Sequence, residues 1–464
     1  MLFNSYEFIF IFLPIVLSGF LLLRYFGYHK LIPSWLLVSS AFFYGDFKLW
    51  HLPLLIAMIL INYYFALKIE RSSYKKRYFF IAIALDISIL AWFKYASLLP
   101  ILDSIKPDTL PLGISFYTFQ IIAYLADIYQ GRAKRLKLSD FALFILFFPQ
   151  LIAGPIVHYA QMVPQFDSLA KGKTEIYFSN GLALFIIGLG KKVLLADTLS
   201  PFVDRAFGVV ASGGSLDMIS AWEGIIAYSM QIYFDFSAYS EMAIGLALMF
   251  GLRLPINFNS PYKAIDIRDF WRRWHITLST FIRDYLYIPL GGSKKGDINT
   301  IKNLIVVMTI AGAWHGSGWT FVTWGFLHGV WLGLSHIKSK FIHISLPKGI
   351  NIFVTFIGIT LLWVLFRSNS LDTALLYYKF LFTGDITDTH LLAKDYIVSF
   401  VLLTTLFIVW FLPNAKEATR YIQDPNQELP QPSVAIAILC GILLIASLKA
   451  LSEGASHSFI YFMF

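Results

Sequence analysis

The sequence predicts an all-α polytopic membrane protein, and three observations predict it. Of the 464 residues, 57% are hydrophobic and only 14% are charged, against about 25% charged in soluble domains. Apolar runs long enough to cross a bilayer, which takes about 20 residues, recur from one end of the chain to the other. The basic residues collect in short loops between those runs, as the positive-inside rule requires of cytoplasmic loops. Strands of a transmembrane barrel would be short and alternating, whereas these runs are long and uniform.

Taken in order, the apolar runs fall at 7–23, 33–48, 51–67, 78–97, 141–157, 351–366, 396–412 and 433–450. Less regular stretches occupy 111–129, 181–199, 219–250 and 303–336. Together they predict roughly eleven crossings, some of them broken or re-entrant. The first run lacks a basic n-region and a small-residue cleavage site, so it reads as a retained helix. Arg24, His29 and Lys30 form a first basic loop. Lys68, Arg71, Lys75, Lys76 and Arg77 fill a second, and Arg132, Lys134, Arg135 and Lys137 a third. Two crossings separate each loop from the next, so all three face the cytoplasm and the N-terminus lies outside. Past residue 137 the parity is lost, because Lys191 and Lys192 interrupt an apolar run.

Two polar stretches remain, 367–395 and 413–432. The first has no basic excess and reads as extracytoplasmic. The second carries Pro413, Pro425, Pro430 and Pro432 and reads as a loop. No soluble domain or internal repeat interrupts the pattern, so 1–464 reads as a single transmembrane domain. The net charge of +9 would suit nucleic acid, but its confinement to short loops argues for membrane topology instead. Cys440, the single cysteine, lies in an apolar run and supports neither a disulfide nor a thiolate metal cage.

The middle of the chain, about 231–336, carries the groups capable of chemistry. In "DFWRRWHITLSTFIRDYLYIPLGG", 269–292, a helix would place His275, Ser279 and Arg283 along one side. Arg272, Arg273 and Arg283 add fixed positive charge, which suits a phosphate-bearing ligand and equally an interfacial helix touching lipid headgroups. In "MTIAGAWHGSGWTFVTWGFLHGVWLGL", 308–334, His315 and His328 sit among tryptophans and glycines. Intramembrane ionisable residues mark functional sites by default. A histidine near neutrality can take a proton from a hydroxyl nucleophile; a structural hydrogen bond between helices is the alternative. Without an HExxH pattern and with few acidic neighbours, no metal site is expected. No GxSxG elbow is present. Asp235 and Glu241 lie in an aromatic setting, where a structural charge pair with the arginine helix is expected.

The two blocks "FWRRWHITLSTFIRDYLYIPLGG" and "GAWHGSGWTFVTWGFLHG" resemble the signature of the membrane-bound O-acyltransferases. The likeness is to the bacterial branch that serves alginate and peptidoglycan O-acetylation and D-alanylation of teichoic acid. "MLFNSYEFIFIFLP", "LPLGISFYTFQIIAYLADIY", "FFPQLIAGPIVHY", "YFDFSAYSEMAIGLALMFGLRLPINFNSPY" and the ending "SFIYFMF" extend it over essentially the whole chain. The resemblance implies a ring of tilted helices around a central tunnel. It implies His315 as the catalytic histidine and His275 as its second histidine, with Trp314, Ser279 and His328 among the substrate-binding residues. Arg272, Arg273 and Arg283 would then hold the donor's phosphate. It further implies acetyl coenzyme A or another acyl thioester as donor substrate, with no permanently bound cofactor. The expected setting is the bacterial cytoplasmic membrane. The expected partners are the lipid bilayer, a polysaccharide acceptor and a separate serine hydrolase-like acetyltransferase outside the cell membrane. D-alanyl transfer from a carrier protein, or transport of a solute or lipid-linked sugar, are the alternatives.

Overall fold

The computed structural model describes residues 1–98, 107, 109–341, 346–385, 396–454 and 459–460. Helices and connecting segments make up all of them, without a strand among the described residues. Five helices are long and apolar enough to cross a membrane: Phe8–Tyr25, His51–Arg71, Lys75–Tyr95, Lys348–Arg367 and Val434–Ser452. A sixth apolar helix, Tyr396–Phe411, is shorter. The chain divides into two compact units. One comprises residues 1–189, 239–256 and 415–442; the other comprises 190–238, 257–414 and 443–464.

The first unit is built on an aromatic core. Phe8, Phe12, Phe43 and Phe148 are all buried, and the Phe12 and Phe148 rings meet edge-on with centroids 5.4 Å apart. Phe148 belongs to a stretch where the structure departs from the expected crossing at 141–157. That run forms a helix Leu138–Leu146 and a single turn Phe148–Leu151, then continues without helix to His158. Phe147 breaks the first helix with a ψ of 107°. Pro149, Gly154 and Pro155 follow in quick succession and cannot sustain one. The freed backbone is held internally, as apolar surroundings demand: Phe148 N donates to Ser40 Oγ at 3.1 Å.

In the second unit, the run interrupted by Lys191 and Lys192 continues as a π-helical turn, Lys191–Ala196, and then as the helix Asp197–Ala211. Lys192 is buried between Asp197 and Asp235, 2.7 Å from each. The expected partner of Asp235 is thereby corrected: it is a lysine of the interrupted run and not the arginine helix. A single helix, Met218–Met249, replaces the irregular stretch at 219–250, with only its residues 218–238 in this unit. At 1.5 Å per residue its 32 residues are about 48 Å long, well beyond a hydrocarbon core of about 30 Å. The stretch 303–336 resolves into a hairpin of two helices, Asp297–His315 and Trp319–Phe341. The polar stretch 367–395 contains the helix Leu371–Thr383, and its residues 386–395 lie outside the described residues, as do 458 and 461–464 of the ending "SFIYFMF".

Candidate acyl-transfer site

The hairpin positions two of the three site histidines. Its helices approach so closely that only hydrogen fits at several contacts. A Cβ added to Gly312 would stand 3.0 Å from Gly325 Cα, and one added to Gly329 would stand 2.6 Å from Ile305 Cα. Both lie far inside ordinary van der Waals separation, so these glycines set the interhelical distance. His315 is the last residue of the first helix. Gly316 follows in an extended conformation, and Gly316-Ser317-Gly318 turns the chain into Trp319. The turn thus holds the imidazole at a helix end, 3% exposed. Trp314, Phe366 and Trp324 surround it, with ring centroids 4.7, 5.1 and 5.3 Å away.

His275 is placed by a break. The expected single helix over 269–292 does not form; two short helices, Ile267–Arg273 and Ile276–Ile282, are separated by Trp274 and His275. His275 adopts a left-handed backbone conformation, φ 42° and ψ 55°, which a non-glycine residue holds only when its surroundings enforce it. Asn257 enforces it. The Asn257 carbonyl accepts from Ile276 N at 2.9 Å. Its side-chain Oδ1 accepts from Thr277 Oγ1 at 3.0 Å and Thr277 N at 3.3 Å. The same oxygen lies 3.0 Å from His275 Nδ1. An oxygen that accepts from a backbone N–H is fixed as the amide carbonyl, so His275 Nδ1 carries a hydrogen and donates. The neutral ring therefore has its basic lone pair on Nε2. The break lies before His275, whose left-handed backbone takes it out of the helical register, while Ser279 and Arg283 stay on continuous helix, Ile276–Ile282 followed by the π-helical turn Arg283–Tyr287. Ser279 Oγ donates to Trp274 O at 3.4 Å and closes the break.

His328 lies on the second hairpin helix and is fully buried. Its ring packs against Trp324 and Trp271, with centroids 4.6 and 5.1 Å away. Aromatic contacts link the histidines through one cluster. Trp324 meets Trp363 at 5.8 Å, Trp363 meets Trp274 at 5.1 Å, and Trp274 meets Phe258 at 5.1 Å. Phe258 touches Phe236, whose ring lies edge-on to His275 at 4.7 Å. Asn257, Trp271, Trp324, Trp363 and Phe366 are therefore parts of the site that the sequence patterns did not single out. Spacing alone gives no signal for Asn257, which acts on a histidine 18 residues away.

The arginines divide. Arg273 is paired with Asp269 at 2.8 Å and also donates to Asn259 O. Arg283 is paired with its neighbour Asp284 at 2.7 Å. Arg272 is exposed and has no hydrogen bond or ion pair among the described residues. It follows Trp271, the ring that touches His328, and is the one of the three without a carboxylate partner. No three of His, Cys, Asp and Glu come together to hold a metal among the described residues. A separate cavity of about 910 Å³ lies in the first unit, with Lys173, Glu175, Tyr177, Arg253, Asp424 and Glu428 in its wall. Its lining contains no histidine, so it lacks the proton acceptor that the hairpin supplies.

Residues 36–366 match the family model described as membrane-bound O-acyltransferase. A peptidoglycan O-acetyltransferase of Helicobacter pylori is 43% identical over 423 residues, covering 82% of this chain and 79% of the relative. A probable alginate O-acetylase AlgI of Pseudomonas putida is 36% identical over 495 residues, covering the whole of both chains. A teichoic acid D-alanyltransferase of Lacticaseibacillus rhamnosus is 28% identical over 300 residues, covering 61% of this chain and 73% of the relative.

Proposed function

The chain belongs to the membrane-bound O-acyltransferase family, and from that membership we propose that it carries an acetyl group from a cytosolic thioester toward an extracytoplasmic polysaccharide. It is a multi-pass membrane enzyme and an O-acyltransferase. Acetyl is favoured over D-alanyl because the relatives named for O-acetylation are more similar and match more of the chain. Acetyl coenzyme A fits as the donor, and a separate serine hydrolase-like transferase fits as the partner that completes delivery. On the positive-inside rule the basic loops 24–30, 68–77 and 132–137 favour the cytoplasmic side of a bacterial cytoplasmic membrane, with the N-terminus outside.

The observation that carries the reading is the placement of His315, a buried imidazole at the hairpin turn of the family signature. In the proposed step its unprotonated ring takes the proton of an acceptor hydroxyl. The hydroxyl oxygen bonds to the thioester carbonyl carbon. The tetrahedral intermediate then collapses, the carbon–sulfur bond breaks, and the thiol leaves with the proton from His315. The second histidine is suited to a complementary task. Neutral His275 presents a lone pair at Nε2 and so can accept a hydrogen bond from a hydroxyl, but in that state it cannot donate one to the acyl oxygen. Arg272 is the guanidinium free to meet a donor phosphate. Because the aromatic cage closes on His315, a substrate reaches the ring only by displacing its neighbours.

Purified protein in liposomes, supplied with acetyl-labelled coenzyme A and a soluble oligosaccharide as hydroxyl acceptor, tests the assignment. Wild type releases free thiol, and His315→Ala loses at least about 10²-fold of that turnover while melting within a few degrees of wild type. Undiminished thiol release by His315→Ala would sink the role.

A further inference from the structure

Two buried N–H groups on the helix that follows His315 have no acceptor among the described residues. Trp324 and His328 lie one turn apart on the Trp319–Phe341 helix and are 1% and 0% exposed. Trp271 Nε1 lies 3.3 Å from His328 Nδ1 in a hydrogen bond. An indole N–H can only donate, so Nδ1 is the acceptor and the hydrogen of the neutral imidazole is on Nε2. Nε2 has no hydrogen-bond partner among the described residues, and neither has Trp324 Nε1. Buried polar groups are nearly always paired, and an unpaired one bears its full desolvation penalty. The two donors sit on rings whose centroids are 4.6 Å apart, and one of the rings packs 5.3 Å from His315, so they suit a ligand that accepts hydrogen bonds.

We propose that His328 Nε2–H and Trp324 Nε1–H hold the carbonyl oxygen of the acyl group and the negative charge that develops on it. The proposal rests on the acyl-transfer reading and supplies the part that His275 cannot. As the acceptor oxygen bonds to the carbonyl carbon, the π electrons of the C=O bond move onto its oxygen, where the two donors strengthen their hold. His315 meanwhile receives the hydroxyl proton. Collapse restores the C=O bond, expels the thiolate and returns the proton to sulfur. Trp271 is a positioning residue: its N–H fixes His328 in the tautomer that donates from Nε2. The required ligand class is a carbonyl compound able to enter an apolar aromatic cage, with its leaving group directed away from the cage.

The test uses full-length protein in liposomes with acetyl coenzyme A and a soluble oligosaccharide as hydroxyl acceptor. Trp324→Phe keeps an aromatic ring and removes the N–H; His328→Leu removes the imidazole; His328→Gln keeps an N–H donor. Each donor loss is expected to lower kcat for thiol release by on the order of 10²–10³-fold, with a much smaller change in KM. His328→Gln should retain more activity than His328→Leu. Trp271→Phe should fall between Trp324→Phe and wild type. A second measurement reads the carbonyl itself: the infrared C=O band of bound, ¹³C-labelled acetonyl coenzyme A should be shifted down in wild type and return upward in Trp324→Phe. The proposal is overturned if Trp324→Phe releases thiol at the wild-type kcat and leaves the band unmoved, and this holds even if His328→Leu does not fold. Failure of the underlying reading looks different: wild type would release no thiol, or His315→Ala would release it at the wild-type rate.

Discussion

His275 and His328 are held with opposite polarity by hydrogen bonds at Nδ1. Asn257 Oδ1 draws the hydrogen of His275 to Nδ1, and Trp271 Nε1 drives that of His328 to Nε2. One buried ring thus offers a base and the other a donor, although the residue type is the same. Asn257 does more, because it also satisfies the first amides of the Ile276–Ile282 helix. Asn257→Leu removes the side-chain acceptor of three donors while leaving apolar volume. The expected cost is about 1–3 kcal/mol for the donors left unpaired, read as a lowered Tm in detergent, with thiol release falling by more than the stability change explains. A variant that melts lower yet turns over normally would show that Asn257 supports the fold and not the ring. The histidines themselves were legible in the sequence, since "RRWH" and "FLHG" stand out in an apolar chain. Their polarity was not, because it depends on a residue 18 positions away and on a tryptophan 57 positions away. A helical wheel drawn through 269–292 also hides the break at His275, for periodicity carries no term for a remote cap.

Among the elements, the hairpin from Asp297 to Phe341 decides whether His315 and His328 share one cage. Its spacing comes from glycine, and the glycines are not equivalent. Gly312, Gly325 and Gly329 face backbone atoms of the opposing helix, which cannot swing aside as a flexible side chain can. Gly441, on the Val434–Ser452 helix, has nothing within reach of an added Cβ. Gly329→Ala is therefore expected to destabilise by about 1–3 kcal/mol through overpacking and to lower thiol release by separating the two helices. Gly441→Ala should be neutral or stabilising by up to about 1 kcal/mol, since alanine is the better helix former. Equal Tm values for the two variants would contradict the close approach. The apolar character of the hairpin was readable in the irregular stretch 303–336, but its division into two helices was not; the Val434–Ser452 helix matches the uniform run read at 433–450, about as long as a bilayer's hydrocarbon core requires. Run length also has a blind spot, shown at 141–157, where Phe147, Pro149, Gly154 and Pro155 divide an apolar stretch that is buried within protein instead of spanning as one helix. Hydropathy measures burial and cannot tell lipid from protein as the burying medium.

For the whole molecule, each unit is assembled from segments far apart in sequence, and each is tied by a buried polar knot. In the first unit, Gln165 brackets Arg253, accepting from its N at 2.8 Å and donating to its O at 3.0 Å. The Arg253 guanidinium lies 4.8 Å from the Tyr177 ring centre and donates to the carbonyls of Ile422 and Asp424. In the second unit, Lys192 joins Asp197 to Asp235, and the second carboxylate oxygen of Asp235 accepts from Ile460 N at 2.9 Å. Apolar burial drives helix association weakly inside a bilayer, because lipid tails are as apolar as leucine. Polar knots supply part of the specificity that the hydrophobic effect supplies in water. Their energetics are asymmetric: removing one member leaves the others buried and unpaired, at about 3–5 kcal/mol, whereas replacing the set by apolar groups is often nearly neutral. Lys192→Met should therefore destabilise strongly, since it leaves two carboxylates confined together. Lys192→Met combined with Asp197→Asn and Asp235→Asn should recover much of the loss, because repulsion between the acids disappears while the amide oxygen introduced at position 235 can still accept from Ile460 N. Thermal melting of the single and triple variants in detergent decides the matter. A triple variant no more stable than Lys192→Met alone would mean that the lysine contributes through its specific hydrogen bonds, and that charge balance is not what holds this unit's distant segments together.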